Sequence, residues 1–176
     1  MKKTFILVAL FFITGVQSSF ALSYFSGYAG VTLGAMHGKI SADNAGSASS
    51  QSPLVGMITG IESNTLFVKF GIEAFAEKGL FFRADNAFLE YKDPLYYGAK
   101  GKLLFNLIFF DPYLTVGFGG EAGNGRGHFV LGGIGVQAKI LNFGAFAELN
   151  YLETSKNERG KAKRTSLTFG LKYYFF

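Results

Sequence analysis

Residues 66–75, LFVKFGIEAF, alternate between two kinds of side chain. One parity is wholly apolar: Leu66, Val68, Phe70, Ile72 and Ala74. The other parity carries both charges of the segment, Lys69 and Glu73. A period of two is typical of a β-strand whose faces meet different environments. The segment therefore predicts a strand with one apolar face and one charged face.

The same division of faces recurs in four further segments: 98–109, 129–140, 143–151 and 165–176. In each of them the charged side chains stay on one parity. Weaker alternation marks three more segments: 24–39, 54–61 and 113–121. The pattern predicts eight strands, each close to the roughly 9–11 residues that a tilted strand needs to cross hydrocarbon.

The amino-terminal 21 residues have the composition of a secretory signal. Lys2 and Lys3 precede an apolar run over 5–16, and small residues flank Phe20 at the end. We expect residues 22–176 to form one mature domain. The chain has no cysteine, so neither a disulfide nor a lipid-anchoring thiol is expected. After residue 21 no apolar run approaches the roughly 20 residues of a membrane helix, so a membrane-embedded chain must cross as strands.

The connections between the predicted strands alternate in length. Long or polar connections follow the first, third and seventh strands: 40–53, 77–97 and 153–163. Tight ones follow the second, fourth and sixth: 62–65, the Asp111-Pro112 corner and Leu141-Asn142. The Gly-rich connection 121–128 is intermediate. Residues 80–97 are unusually aromatic for a loop, and we expect a strand pair there that extends beyond the membrane. Alternating long loops and short turns are typical of bacterial membrane barrels.

Alternation alone leaves open which face lies inside. A soluble lipocalin-type barrel turns its apolar face inward, whereas an outer-membrane barrel turns that face to lipid and encloses a polar interior. The apolar parity carries no charge through the middle of the best strands, and a Lys or Arg facing lipid there would cost about 2–4 kcal/mol. The sequence favours the membrane barrel. Tyrosines near strand ends predict aromatic girdles: Tyr24, Tyr28, Tyr113, Tyr151, Tyr173 and Tyr174.

In a membrane barrel, eight charged side chains would point inward: Lys69, Glu73, Lys100, Lys102, Glu121, Lys139, Glu148 and Lys172. The interior of an eight-stranded barrel is just wide enough to be filled by side chains. Buried charges are normally paired. We therefore expect internal salt bridges, with Glu148 and Lys172 as one pair on neighbouring strands, more than a catalytic or transport role.

The chain resembles the small eight-stranded outer-membrane proteins of the OmpA/OmpX type, over most of the mature part and as an architecture. The motif for this resemblance is the carboxyl-terminal strand TSLTFGLKYYFF, 165–176. In that family the last strand ends in an aromatic residue on the apolar parity, which the barrel assembly machinery reads. The resemblance implies an assembly signal in Tyr174, Phe175 and Phe176. Here Phe176 shares its parity with Lys172, so either Phe175 serves as the signal or the recognition is looser.

Barrels similar to this one include enzymes that remove or transfer acyl chains of lipid A with a His, a nearby Ser and an acidic or amide partner. No Ser lies two residues after His37 or His128. No set of nucleophile, base and orienting group is recognisable, and the two histidines show no metal-ligand spacing. We expect neither an enzyme nor a cofactor or metal. Without Lys2 and Lys3 the formal charge of +5 falls to +3, too little to indicate nucleic-acid binding.

The sequence predicts an all-β, eight-stranded antiparallel barrel, monomeric, in the outer membrane of a double-membraned bacterium, with both chain ends in the periplasm. Its expected partners are outer-membrane lipids, the barrel assembly machinery and a host or surface ligand bound through the loops. The expected function is a non-enzymatic scaffold for adhesion, host-factor or envelope interactions. A narrow channel for small or apolar solutes, similar to OmpW-type barrels, is the alternative. It is favoured by interior glycines that would widen the bore: Gly71, Gly133, Gly135 and Gly170. A lipid A modifying enzyme is the less favoured reading.

Overall fold

The computed structural model describes residues 24–42, 46–80, 83–86, 89–92, 94–107, 109–122, 127–154 and 161–175. Its strands are, in chain order, β1 (Phe25–Ala42), β2 (Gly46–Ser63), β3 (Val68–Gly79), β4 (Arg83–Asn86), β5 (Leu89–Lys92), β6 (Leu95–Phe105), β7 (Asp111–Ala122), β8 (Gly127–Ile140), β9 (Phe143–Thr154) and β10 (Lys161–Tyr174). The expected signal segment 1–21 lies outside the described residues. Within them, no helix has the length and hydropathy to cross a membrane.

Eight of these strands close into one antiparallel barrel, with β1 paired to both β2 and β10. Following paired residues once round the barrel leads from Ala29 to Lys39 on the same strand. Such an offset accompanies the strand tilt that barrel closure requires. Because a closed barrel has no sheet edge, its backbone donors and acceptors are satisfied internally. The predicted eight-stranded antiparallel fold is confirmed.

The two ends of the barrel differ. The connections 64–67, 106–110 and 141–142 lie at the end where β1 begins and β10 finishes, which we call the turn end. The connections at the opposite end, the loop end, follow β1, β3, β7 and β9. Short turns face the periplasm and longer loops face the outside in outer-membrane barrels. The turn end is therefore periplasmic in such a membrane.

Several strands are longer than the alternation predicted. Residues 40–53 were expected to form a loop, but β1 continues to Ala42 and β2 starts at Gly46. The reason is that β1 has a paired neighbour on each side up to Ser41, so ladder pairing continues beyond the apolar alternation. For the same reason β10 already starts at Lys161, inside the expected last loop. Strand β6 instead ends at Phe105, before the expected 109, and β7 already begins at Asp111.

The strand pair expected between residues 80 and 97 is present. Strands β4 and β5 pair with each other in a separate two-stranded sheet, outside the closed barrel. Strand β4 lies against β2. The connection between β3 and β6 is thus a small hairpin at the loop end.

The polarity of the barrel is inverted relative to a soluble protein. On β3, Phe70 and Ile72 point outward and are 62% and 63% exposed, whereas Glu73 points inward and is fully buried. The outward positions of the other barrel strands are likewise mostly apolar and exposed, including Leu33, Phe118 and Leu171. An apolar exterior round a charged interior is the arrangement of transmembrane barrels. The lipocalin-type alternative is thereby excluded.

Candidate functional site

Four charged side chains meet in the middle of the interior, and we call them the central cluster: Glu73, Lys100, Lys102 and Glu148. Lys102 Nζ lies 2.7 Å from Glu73 Oε2 and 3.6 Å from Glu148 Oε2. Lys100 Nζ forms an ion pair with Glu148 and lies 3.0 Å from Glu73 Oε1. Two carboxylates thus face two ammonium groups, and each side chain is at most 4% exposed.

Two tyrosines and an asparagine complete the hydrogen bonding of the central cluster. The Tyr28 hydroxyl donates to Glu73 Oε2 at 2.7 Å, and the Tyr113 hydroxyl donates to Glu148 Oε2 at 2.9 Å. Asn150 Nδ2 donates to Glu148 Oε1 at 2.7 Å. Buried charges are tolerated when they are both paired and hydrogen-bonded. The central cluster is paired throughout and largely hydrogen-bonded, with Glu73 Oε1 held by its ion pair to Lys100, and its buried side chains fill the middle of the barrel.

A second polar group, the lower cluster, lies nearer the turn end and consists of Glu62, Gln137, Lys172 and Tyr174. Lys172 Nζ lies 2.7 Å from Glu62 Oε1 and donates to Gln137 Oε1 at 2.7 Å. Tyr174 and Gln137 both donate to Glu62 Oε2, at 3.1 Å each. The expected pairing of Lys172 with Glu148 is wrong. The cross-strand register places Gly144 opposite Lys172 and Thr168 opposite Glu148, and Glu62 of β2 reaches Lys172 across the interior.

Lys69 and Lys139 lie at the mouth of the turn end. Lys69 Nζ pairs with Asp111 Oδ2 at 2.8 Å and donates to Asn106 Oδ1 at 3.3 Å. Lys139 Nζ lies 3.9 Å from the centre of the Tyr174 ring and donates to Ser26 Oγ at 3.4 Å. Both ammonium groups are thus held against the interior wall.

The upper interior, towards the loop end, combines one ion pair with an aromatic plug. Arg164 Nη2 pairs with Glu77 Oε2 at 2.7 Å, and its guanidinium lies over the Tyr96 ring. The rings of Phe75 and Tyr96 pack against Phe129 at centroid distances of 6.2 and 6.0 Å. Further buried apolar residues join this plug: Met36, Leu54, Leu131 and Leu152. The interior is therefore closed by apolar packing above the central cluster.

Of the eight predicted interior charges, Glu121 lies apart from the central cluster, buried near the loop end. Its Oε1, like Glu73 Oε1, accepts no hydrogen bond among the described residues. The other seven each contact a charged, polar or aromatic partner: Lys69, Glu73, Lys100, Lys102, Lys139, Glu148 and Lys172. The structure thus brings together Glu73, Lys100, Lys102 and Glu148. Of the remaining four, Lys69 and Lys139 lie at the turn-end mouth, Lys172 lies in the lower cluster and Glu121 lies near the loop end.

Three of the tyrosines expected at membrane girdles lie inside the barrel. Tyr28, Tyr113 and Tyr174 are at most 2% exposed, and each donates a hydrogen bond to an interior carboxylate. Tyr24, Tyr151 and Tyr173 are exposed on the outside, as expected. A tyrosine combines an apolar ring with a hydroxyl, so either location suits it.

The interior glycines do not widen the bore. An added Cβ at Gly135 would lie 2.3 Å from Tyr113 Cζ, and one at Gly170 would lie 2.3 Å from Phe146 Cε1. At Gly133 it would lie 2.3 Å from Asn150 Oδ1, and at Gly71 it would lie 3.1 Å from Glu62 Cγ. Each glycine makes room for a large or polar neighbour that fills the interior. The reason for expecting a channel from these glycines is therefore wrong.

Several interior residues were missed because their segments read as turns or loops. Glu62 and Asp111 begin predicted turns, Glu77 begins a predicted loop, and Arg164 directly follows one. All four share the inward parity of their strands. Extending the period-two pattern past the apolar stretch would have placed them inside.

The two histidines considered as candidate catalytic or metal-binding residues lie on different strands of the outer wall. His37 and His128 are exposed on the outer wall, on β1 and β8. No group of three or more His, Cys, Asp or Glu within the described ranges could hold a metal ion. At the carboxyl terminus, Tyr174 points inward and Phe175 is 53% exposed, while Phe176 lies outside the described residues. An assembly role for these three residues stays a prediction.

The fold is shared with solved outer-membrane proteins. Neisserial surface protein A (NspA) matches with a TM-score of 0.52 and 18% identity, over 84% of this chain and 97% of NspA. Ail, the attachment invasion locus protein of Yersinia pestis, matches with a TM-score of 0.51 and 16% identity, over 85% of this chain and 99% of Ail. A structure of Ail in complex with the heparin analogue sucrose octasulfate matches with a TM-score of 0.50 and 15% identity, over 85% of this chain and 99% of that one.

No protein-family profile and no curated protein sequence matches the chain. The structural likeness therefore establishes the fold, which is that of small eight-stranded outer-membrane barrels. The inverted polarity of the barrel independently requires a lipid environment. Fold and polarity together place the chain in an outer membrane, as the sequence predicted.

Proposed function

We propose that the chain is a non-enzymatic scaffold that holds its loop end rigidly and presents it to ligands at the cell surface. One observation carries this proposal: the interior is filled by the lower cluster, the central cluster and the aromatic plug in turn. A solute crossing the barrel would have to separate buried ion pairs, and breaking such a pair costs several kcal/mol. Contacts at the outside of the loop end require no such change.

A conductance measurement separates this scaffold from the narrow-channel alternative. We expect the purified chain to remain electrically silent in planar lipid bilayers, because the central cluster closes its middle. Steady openings that are abolished by a bulkier interior side chain, such as Thr168→Phe, would instead support the channel. A heat-modifiability gel on the same sample supplies the control, since a mobility shift between boiled and unboiled protein shows that the silent barrel is folded.

The ligand class is suggested by a pair of lysines at the loop end. Lys39 of β1 and Lys163 of β10 lie directly opposite each other, and both are exposed. Like charges directly opposite on neighbouring strands destabilise a sheet. Glu153 of β9 lies opposite Lys163 on its other side and offsets part of this repulsion, and a polyanion placed between the two lysines would relieve the rest. The surrounding segment 154–164 is net basic, so we infer that the ligand is a polyanionic surface polymer, such as a sulfated polysaccharide.

Retention on a heparin column tests this inference. We expect Lys39→Gln with Lys163→Gln to elute at clearly lower salt than the unmodified barrel, because the opposed pair is gone. The single variant Lys78→Gln is the matched control, since Lys78 is also exposed near the loop end but has Leu95 and Val55 as its cross-strand neighbours. A loss of retention in the double variant of no more than twice the loss in the control would mean that only overall charge matters, and unchanged retention in the double variant would contradict the inference. The sulfated sugar in the Ail complex is a ligand of the proposed kind.

A further inference from the structure

Every connection of the turn end presents large apolar side chains. Leu66 and Phe67 are each 80% exposed, and Phe109 and Leu141 are 84% and 86% exposed. We call the full set the turn crown: Leu66, Phe67, Leu107, Phe109, Phe110, Ile140 and Leu141. A patch of this size is unusual for a surface that faces water.

The three connections of the turn end contain no charged side chains. The charged side chains of the adjoining strand ends point into the barrel. The sequences NTLF (64–67), NLIFF (106–110) and LN (141–142) contain no Asp, Glu, Lys or Arg. The nearest charges, Lys69 and Asp111, pair with each other at the interior wall. Lys139 packs against the Tyr174 ring. Among the described residues, the outward surface of the three connections is therefore apolar, with only uncharged polar groups between the apolar side chains.

Several backbone groups of the turns form hydrogen bonds with neighbouring turns and strands. Phe67 O accepts from Asn106 N at 2.8 Å, and Leu66 O accepts from Asn106 Nδ2 at 2.7 Å. Asn142 O accepts from Tyr174 N at 2.8 Å. Internal satisfaction of polar backbone groups is what a lipid environment demands. The first two turns are thus joined by bonds that water is not needed to supply.

Leu141 stands in a backbone conformation that normally selects another residue. Its φ is 55°, in the left-handed region, within the two-residue turn between β8 and β9. Glycine or asparagine is the usual residue there, and a bulky side chain is disfavoured. An exposed leucine in this position makes no compensating contact with the protein interior. A favourable contact outside the protein would offset the cost of this conformation.

We propose that the turn crown is immersed in the periplasmic leaflet of the membrane, where phospholipid covers it. The crown is continuous with the lipid-facing wall through Phe105 and Phe143, which are 41% and 65% exposed. Since that wall is in contact with lipid, the same lipid would extend over the turns. The barrel consequently sits low in the bilayer, with its turns at the boundary between acyl chains and headgroups, and this inference does not depend on the ligand proposed above.

Fluorescence of single introduced tryptophans tests the position of the turn crown. The chain has no tryptophan, so one substitution reports without background from another. Phe109→Trp and Phe67→Trp probe two different turns, so either can serve if the other fails to fold. Phe118→Trp on the outer wall of β7 is the lipid reference, and Gln51→Trp on the β2 extension at the loop end is the water reference. Each folded variant is placed in phosphatidylcholine vesicles with brominated acyl chains.

Immersion predicts blue-shifted emission for both turn variants, strong quenching by bromine placed near the headgroup and weak quenching by acrylamide in the water. Phe118→Trp should be quenched more strongly by bromine placed deeper in the chains. If Phe109→Trp and Phe67→Trp instead match Gln51→Trp in emission and acrylamide quenching, the turns face water in a bilayer. That outcome would overturn the proposal. A periplasmic protein partner would then be the alternative occupant of the turn crown.

Discussion

Replacement of Glu148 by glutamine is expected to lower the free energy of unfolding by about 3–5 kcal/mol, the cost of removing one partner from a buried ion pair. Lys100 and Lys102 would then share Glu73 as their one remaining carboxylate in the central cluster. Water cannot easily take the place of the lost charge, because each side chain of the cluster is at most 4% exposed. The hydrogen bond from Tyr113 would also lose its charged acceptor. Denaturant titration in lipid vesicles, followed by the mobility of unboiled samples on gels, measures the change.

A double-mutant cycle distinguishes loss of the ion pair from general damage. Lys100→Met combined with Glu148→Gln should cost less than the sum of the single changes, with a coupling of about 0.5–3 kcal/mol. Lys172→Met combined with Glu148→Gln is the matched control, since the ion-pair partner of Lys172 is Glu62. Equal coupling energies in both cycles would contradict the assignment of Lys100 and Lys172 to different clusters.

Gly135→Val is expected to destabilise the barrel by about 1–3 kcal/mol through overpacking. A Cβ at this position would lie 2.3 Å from Tyr113 Cζ and 2.5 Å from its hydroxyl oxygen. The ring would have to move, and its hydrogen bond to Glu148 would be lost. Because the neighbour belongs to the filled interior, the strain would reach the central cluster.

Gly132→Val is the control on the same strand. Gly132 lies on the outward parity of β8, and an added Cβ there would have only Thr115 O within 4.0 Å. A valine at this position faces lipid and should leave stability unchanged or improve it. Removal of the obstructing ring by Tyr113→Ala should recover part of the loss in Gly135→Val. A large loss in Gly132→Val would mean that glycine is needed for the strand itself instead of for interior space.

The fold could be predicted because successive side chains of a strand point to opposite faces, so the alternation of apolar and charged residues shows which environment each face meets. Lys69 and Glu73 share a parity while Phe70 and Ile72 share the other, and the structure buries the first pair deeper than the second. Strand ends were less predictable, since the alternation fades where the wall leaves the apolar zone. Ladder pairing continues there, as in the β1–β2 hairpin, and no local pattern marks it.

The sequence also predicted that the charged side chains point inward, but it did not predict which of them pair with each other. Parity assigns a side chain to a face, whereas a salt bridge across the interior depends on register and on the offset around the barrel. Glu148 and Lys172 lie on neighbouring strands and yet belong to different clusters. Tyr174 was on the inward parity of Lys172 from the start, and its aromatic character alone suggested a girdle.

Closure of the barrel by β1 and β10 has a consequence for the order of folding. The pair Tyr28 and Tyr174 joins two residues at nearly opposite ends of the described chain. Contacts of such long sequence separation form slowly, because the chain must lose loop entropy before they stabilise it. The first strand has no partner on one side until the last strand has been synthesised and exported. We therefore expect the lipid-facing wall to stay unassembled until the two ends meet, with its apolar side chains prone to aggregation in the meantime.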